Sequence, residues 1–415
     1  MFAKINFHDE FYQKLKLLVL PITMQQFMLA LVSATDAIML GAVSQTSLSA
    51  VSLAGQIQFV LNLFISGISA GSGIMAAQYW GKKDAASIEE VMPIALRTNL
   101  IFSGAFTVFA AVAPEVLMRI FTSDPALIES GAVYLRAVSL SYLLCGISQI
   151  YLILLKNTGY ATVSSRISCT AVVVNIICNA ILIYGLFGLP ALGIQGAAYA
   201  TVAARLVELV WSYLETKQSG RVQIIWKKMF HAADAVLTKD FWRYTMPVLG
   251  AALVWGIAYV SYSVIMGHMG SDAVAANSIT TIAKNMLSCL IRGVSGGAGV
   301  LIGNLLGAGE LDKAKVYGGR LTRMAIVVGM TTGGLLMLIS PLIVRFAPLS
   351  DTAAEYLQYM LIFCGCNIMA QSVNTTVLDG IFCAGGDSKF DMKGNLGAMW
   401  CFSVPFGFFA AFVLK

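Results

Sequence analysis

The sequence predicts an all-α integral membrane protein: two parallel-repeat six-helix bundles around a central cavity, the second lacking its last helix. Three observations carry this expectation. Of 415 residues, 58% are hydrophobic and only 12% charged, with mean hydropathy +0.78, whereas soluble domains hold about 25% charged residues. The apolar residues gather into continuous runs long enough for a hydrocarbon core of about 30 Å, which takes roughly 20 helical residues. Finally, the chain repeats itself at an offset of 226 residues. An outer-membrane barrel would instead show alternating segments of about ten residues.

The runs place spans near 15–40, 51–79, 91–114, 127–155, 163–187 and 193–214. A second series follows near 243–267, 273–305, 317–341, 352–382 and 394–414, eleven spans in all. The first run is too long for a signal peptide, and no A-x-A-like site follows it, so it reads as a retained helix. Turns fall at "QYWGKKDAAS", "MRIFTSDPA" and "LLGAGELDKAK", where Gly, Pro and charges interrupt the apolar pattern. Residues 1–214 therefore read as an N-terminal bundle, 215–242 as a polar cytoplasmic linker, and 243–415 as a C-terminal bundle. Residue 415 corresponds to residue 189 of the first half, which leaves the second bundle without its sixth span.

Basic residues orient the spans. With the N-terminus in the cytoplasm, inner segments hold 20 of the 27 Lys and Arg, from Lys4, Lys14 and Lys16 through Lys389 and Lys393. Arg119 and Arg345 alone occupy the opposite loops. That asymmetry predicts a multi-pass protein of the cell membrane with a cytoplasmic N-terminus. It also accounts for the net charge of +6; no basic segment is interleaved with aromatics, so nucleic acid is not an expected partner. The eight Cys sit mostly inside spans, and with only three His no zinc-type spacing occurs.

The repeat pairs Pro21 with Pro247, Gly41 with Gly267, and Gly159 with Gly385. Between them, Gly67, Gly71, Gly73 and Gly81 pair with Gly293, Gly297, Gly299 and Gly307. Six spans separate equivalent positions, so both halves cross the membrane in the same sense, a transporter plan. The paired glycines suit close helix approach.

Three stretches then carry a family resemblance. They are Pro21, Asp36 and Gly41 in the first span, "GISAGSGIMAAQYWGKKD" with its partner "GVSGGAGVLIGNLLGAGE", and "NIICNAILIYG" followed by "GIQGAAYATVAAR". In order and spacing the chain resembles the MATE (multidrug and toxic compound extrusion) family, within the multidrug/oligosaccharidyl-lipid/polysaccharide exporter superfamily. The resemblance implies a secondary exporter of amphipathic small molecules, coupled to inward H+ or Na+ movement. A lipid-linked sugar or lipid flippase of the same superfamily is the alternative it leaves open. The implied transporter acts as a monomer in the bilayer, with no cofactor other than the coupling ion. No H-E-x-x-H, D-D-x-x-D or Walker A motif points to an enzyme.

Asp36 is a lone carboxylate in an apolar run. At mid-helix an Asp costs about 2.5–3.5 kcal/mol on insertion scales, so it faces protein or a water-filled cavity. It reads either as a packing residue in its protonated form or as a cation site that H+ or Na+ neutralises. The resemblance implies the second, with Asn175, Asn179 and Thr201 as its companions on the fifth and sixth spans. Asn175 and Asn179 are four apart and share a helix face; interhelical hydrogen bonding is the alternative for both. One branch of the family has a second Asp where Asn179 stands. Another uses acids in the second half, at positions matching Trp255 and Ser372, neither of which ionises. Asp379 lies elsewhere and is assigned a gating or pairing role.

Further candidates are Met39, Gln56 and Asn62 as cavity lining, and Lys284 and Arg292, which lie two turns apart on the eighth span. A basic wall at Lys284 would favour neutral, zwitterionic or anionic compounds. Arg205 and Glu208 are spaced for a local ion pair. Pro21 and Pro247 are candidate bending points. No metal site is expected beyond Na+ at Asp36.

Overall fold

The computed structural model describes residues 9–230, 234–269, 271–347 and 350–411. Lys4 and the end of the eleventh span lie outside the described residues. Within them the regular structure is helical throughout. The first half runs α1 (Glu10–Val43), α2 (Gln45–Gly81), α3 (Ala85–Val112), α4 (Pro114–Arg119), α5 (Pro125–Asn157), α6 (Ala161–Tyr184) and α7 (Ile194–Thr216). The second runs α8 (Ala235–His268), α9 (Ser271–Gly307), α10 (Leu311–Phe346), α11 (Asp351–Thr375), α12 (Ser388–Leu396) and α13 (Val404–Phe409).

Among the described residues nine helices are long and apolar enough to cross a membrane, against eleven expected spans. The other two runs are helical but differ in character. α7 carries Arg205 and Glu208 in mid-helix, which lowers its apolarity. The eleventh run is divided, because π-helical turns over Gly397–Ser403 separate the polar α12 from α13. Helix starts follow the local chemistry: Ser44, Asp84, Asp124 and Ser350 each cap a helix by accepting a backbone N–H bond. Asp84 also accepts from Ser87 Oγ at 2.6 Å. These bonds hold its carboxyl below the usual carboxylate range.

The repeat recurs in the helix starts. Gln45 and Ser271, Ala85 and Leu311, and Pro125 and Asp351 each lie 226 residues apart. So do the left-handed turn residues Lys83 (φ 61°) and Gly309 (φ 77°). Beyond α11 the offset becomes 227, since α6 and α12 begin at Ala161 and Ser388. The additional residue is taken up in a π-helical stretch, Thr376–Phe382, whose wider turn accommodates it. The expected pairing of Gly159 with Gly385 is therefore corrected: the left-handed counterpart of Gly159 (φ 91°) is Gly386 (φ 85°).

Packing divides the chain into one unit of residues 28–249 and another of 1–27 with 250–415. The sequence repeat places the halves at 1–214 and 243–415, with a linker between. The difference arises because α1 and α8 each begin in one unit and end in the other. In the first unit, Gly67 and Gly71 of α2 pack on Leu249 and Thr245 of α8. In the other, Gly293 and Gly297 of α9 pack on Thr23 and Val19 of α1. Thr23 and Val19 stand 226 residues before Leu249 and Thr245, so equivalent glycines hold equivalent partners. The missing side chains let the backbones approach.

The described residues of 215–242 pack on the first half. Val222, Ile224, Met229 and Phe241 are buried on a core that includes Ile88, Met92, Leu96, Ile150 and Tyr151. Trp226 Nε1 donates to Tyr151 Oη at 2.7 Å, Lys228 pairs with Glu90 at 2.6 Å, and Arg221 pairs with Glu215. Apolar residues between the charges of "RVQIIWKKMF" supply that burial.

A Cβ on Gly67 would lie 2.8 Å from Leu249 Cα, whereas one on Gly104 would meet nothing within 4 Å. Gly67→Ala is expected to destabilise by about 1–3 kcal/mol through overpacking. Gly104→Ala is expected to be neutral or to stabilise by roughly 0.5–1 kcal/mol from helix propensity. Thermal unfolding of both variants in detergent checks the contrast; equal shifts would remove the close-approach role of Gly67.

Candidate functional site

The site is built where α6 turns back into α7. Gly185 ends α6 in the left-handed conformation (φ 71°), and Leu192 N donates to Leu182 O at 2.9 Å. Gly196 lies against the Leu182 backbone with no room for a Cβ. This tight return sets α7 beside α6 and brings Thr201 to Asn175, whose Nδ2 donates to Thr201 Oγ1 at 3.4 Å. Thr201 Oγ1 donates in turn to Ala197 O at 3.0 Å.

Asp36 of α1 joins this pair of helices. Asn179 Nδ2 donates to Asp36 Oδ1 at 2.6 Å, across 143 residues of sequence. The same amide donates to Asn175 Oδ1 at 3.1 Å. Asn175 and Asn179 are 5% and 1% exposed, and Asp36 is half-buried. Asn179 Oδ1 is buried and has no hydrogen-bond partner among the described residues. Among the described residues Asp36 has no ion-pair partner. Thus Asp36, Asn175, Asn179 and Thr201 form one chain of polar contacts around a carboxylate that no cation among the described residues neutralises. Beneath them lies a core of Leu40, Ile57, Leu61, Leu135, Val138, Tyr142 and Ile183.

The second chemical feature of this unit is a buried ion pair. Arg205 Nη1 lies 2.5 Å from Glu208 Oε2, with side chains 23% and 2% exposed. Ser148 Oγ and Ser168 Oγ donate to the same carboxylate, each at 3.4 Å. The local pairing expected from their spacing is present, and the two serines tie it to α5 and α6.

Other candidates fall elsewhere. Met39 packs against the core beneath Asp36, and its carbonyl accepts from Tyr184 Oη at 3.1 Å. That tyrosine escaped sequence reasoning, although its place one residue before the helix-ending Gly185 is visible there. Gln56 and Asn62 are exposed on α2, where Ser52 and Ser66 extend a polar strip. Lys284 is half-buried and Arg292 exposed, both on α9 in the other unit. Neither forms an ion pair among the described residues. Asp379 lies in the π-helical stretch and has no ion pair among the described residues. Pro21 and Pro247 sit inside helices that continue through them. Ser372 Oγ donates to Ala325 O at 2.8 Å, and Trp255 stacks on Tyr259 at 5.6 Å.

Comparison with known proteins adds the following findings. A family model described as MatE matches residues 21–181 and 247–409. The chain is 24% identical over 376 residues to an uncharacterized transporter, YisQ, of Bacillus subtilis (strain 168), covering 90% of this chain and 82% of that one. It is 23% identical over 415 residues to a probable multidrug resistance protein, NorM, of Mannheimia succiniciproducens, covering 95% and 85%. Among solved structures, a multidrug resistance MATE family transporter in an outward-facing conformation aligns with TM-score 0.87 at 17% identity, over 97% of this chain and 88% of that chain. A MOP superfamily transporter from Pyrococcus furiosus aligns with TM-score 0.83 at 18% identity, over the same shares.

Proposed function

The chain belongs to the MatE family, and from that premise we propose that it exports amphipathic small molecules by alternating access, driven by inward H+ or Na+ movement at Asp36. The observation that carries the reading is the Asn179–Asp36 hydrogen bond, which joins α1 to α6 around an unneutralised carboxylate. A carboxylate in a membrane-spanning helix is costly, by about 2.5–3.5 kcal/mol at mid-helix. A bound cation removes that cost. The polar chain at Asp36 carries the oxygens Asn179 Oδ1, Asn175 Oδ1 and Thr201 Oγ1, the first of them buried without a partner among the described residues. Such oxygens ligate a hard cation, and they also accept a bond from a protonated carboxyl.

The coupling step follows from differential affinity. A cation that binds one conformation more tightly shifts the inward–outward equilibrium by that difference. α1 is suited to transmit the change, because it begins in one unit and carries Asp36 in the other. The relatives named as multidrug resistance proteins support a broad small-molecule range. The Lys and Arg asymmetry supports a cytoplasmic N-terminus.

Transport in proteoliposomes, with proton and sodium gradients imposed separately, tests the reading. Efflux of a dye is expected to follow one of the two gradients and to stop when that gradient is collapsed by an ionophore. Efflux that follows neither would end the proposal.

A further inference from the structure

A cavity of about 730 Å³ lies between α4 and the first turns of α5, in the unit of residues 28–249 and away from Asp36. Its size is that of a small-molecule site. Four charges line it: Glu115, Arg119, Glu129 and Arg136. Arg136 Nη2 lies 3.0 Å from Glu115 Oε1, so these two satisfy each other. Arg119 and Glu129 have no ion-pair partner among the described residues. One cation and one anion are thus left open in the same cavity, whose lining has no net formal charge.

Its rim is apolar. α4 buries Pro114 and Met118, whereas Val116 and Ile120, the residue just past its end, are 61% and 70% exposed. Val112, at the end of α3, is 75% exposed. The 226-residue repeat carries the same two charges to Arg345 and Glu355, both exposed, beside an exposed Phe346.

We propose that this cavity binds the headgroup of an outer-leaflet phospholipid bearing a phosphate and a primary ammonium. Arg119 takes the phosphate, since a guanidinium fork matches two phosphate oxygens. Glu129 accepts from the ammonium, which offers three donors and no acceptor. The acyl chains lie over Val112, Val116 and Ile120. A purely anionic headgroup would leave Glu129 facing negative charge, and a choline headgroup has no N–H to donate. The leaflet follows from the charge asymmetry, which sets the α3–α4 turn outside.

The test uses the full chain in detergent, with bound lipid counted by native mass spectrometry. Phosphatidylethanolamine is expected to be retained over phosphatidylglycerol. Arg119→Gln and Glu129→Gln are each expected to weaken that retention by up to about fivefold, the scale of one exposed charged contact. Both positions are exposed, so both variants should unfold at the wild-type temperature; Arg119→Lys, which keeps the charge without the fork, should fall between. Equal retention of the two lipids, or no change in either Gln variant, overturns the proposal. So does water-soluble glycerophosphoethanolamine binding as tightly as the lipid, because the acyl chains would then contribute nothing.

Discussion

Replacing Asp36 with Asn is expected to abolish gradient-driven efflux, down to the passive background, while the protein stays folded. The substituted side chain has the same shape and keeps an oxygen to accept from Asn179 Nδ2, which now lies 2.6 Å from Asp36 Oδ1. What it loses is the charge. An amide has no negative charge for H+ or Na+ to neutralise, so the cation no longer distinguishes the two conformations and cannot shift their populations. Stability should be unchanged or slightly raised, because a charge without an ion-pair partner leaves the membrane-spanning region. Dye efflux in proteoliposomes and thermal unfolding in detergent are the paired measurements. Wild-type efflux by Asp36→Asn would sink the coupling role, whereas a collapse of both readouts would assign Asp36 to packing instead.

The second large effect concerns Glu208. Glu208→Ala is expected to destabilise the protein by about 3 kcal/mol, the low end of the range for removing one partner of a buried pair. The low end applies because the Arg205 side chain retains 23% exposure. The substitution strands the guanidinium and also removes one acceptor of Ser148 and of Ser168. Replacing both members, Arg205→Leu with Glu208→Leu, should recover most of the loss, since a buried pair and a well-packed apolar pair are often close in energy. Denaturant or thermal unfolding of the single and double variants checks this. A double variant no more stable than Glu208→Ala would show that the pair contributes more than mutual neutralisation.

Much of the site was legible in the sequence. A lone Asp36 in an apolar run is a cost that demands a compensating partner, and Asn175 and Asn179 share one face by helical spacing alone. Their meeting with Asp36 was implied by family resemblance, because no local pattern connects positions 143 residues apart. The unpartnered Asn179 Oδ1 had no sequence signature, since an amide's satisfaction depends on every neighbour that reaches it. The cavity at Arg119 and Glu129 was hidden for a related reason. Arg119 reads only as an outer-loop charge and Glu129 falls at the start of a span; that Arg136 takes Glu115 and leaves both without an ion-pair partner among the described residues is a matter of three-dimensional placement.

The sequence by itself determined the all-helical membrane class, the parallel repeat and the glycines that let helices touch. Each of these follows from local composition: apolar length fits the bilayer, and an absent side chain permits approach wherever the partner lies. Only the tertiary structure decided which partner that is. Gly67 and Gly71 hold the start of α8, and Gly293 and Gly297 hold the start of α1, so the first helix of each half crosses from one packing unit to the other. It also decided where the repeat slips by one residue, at the π-helical Thr376–Phe382. Partner choice and the placing of an inserted residue are set by the sum of many packing contacts, and that sum exists only once the chain has folded.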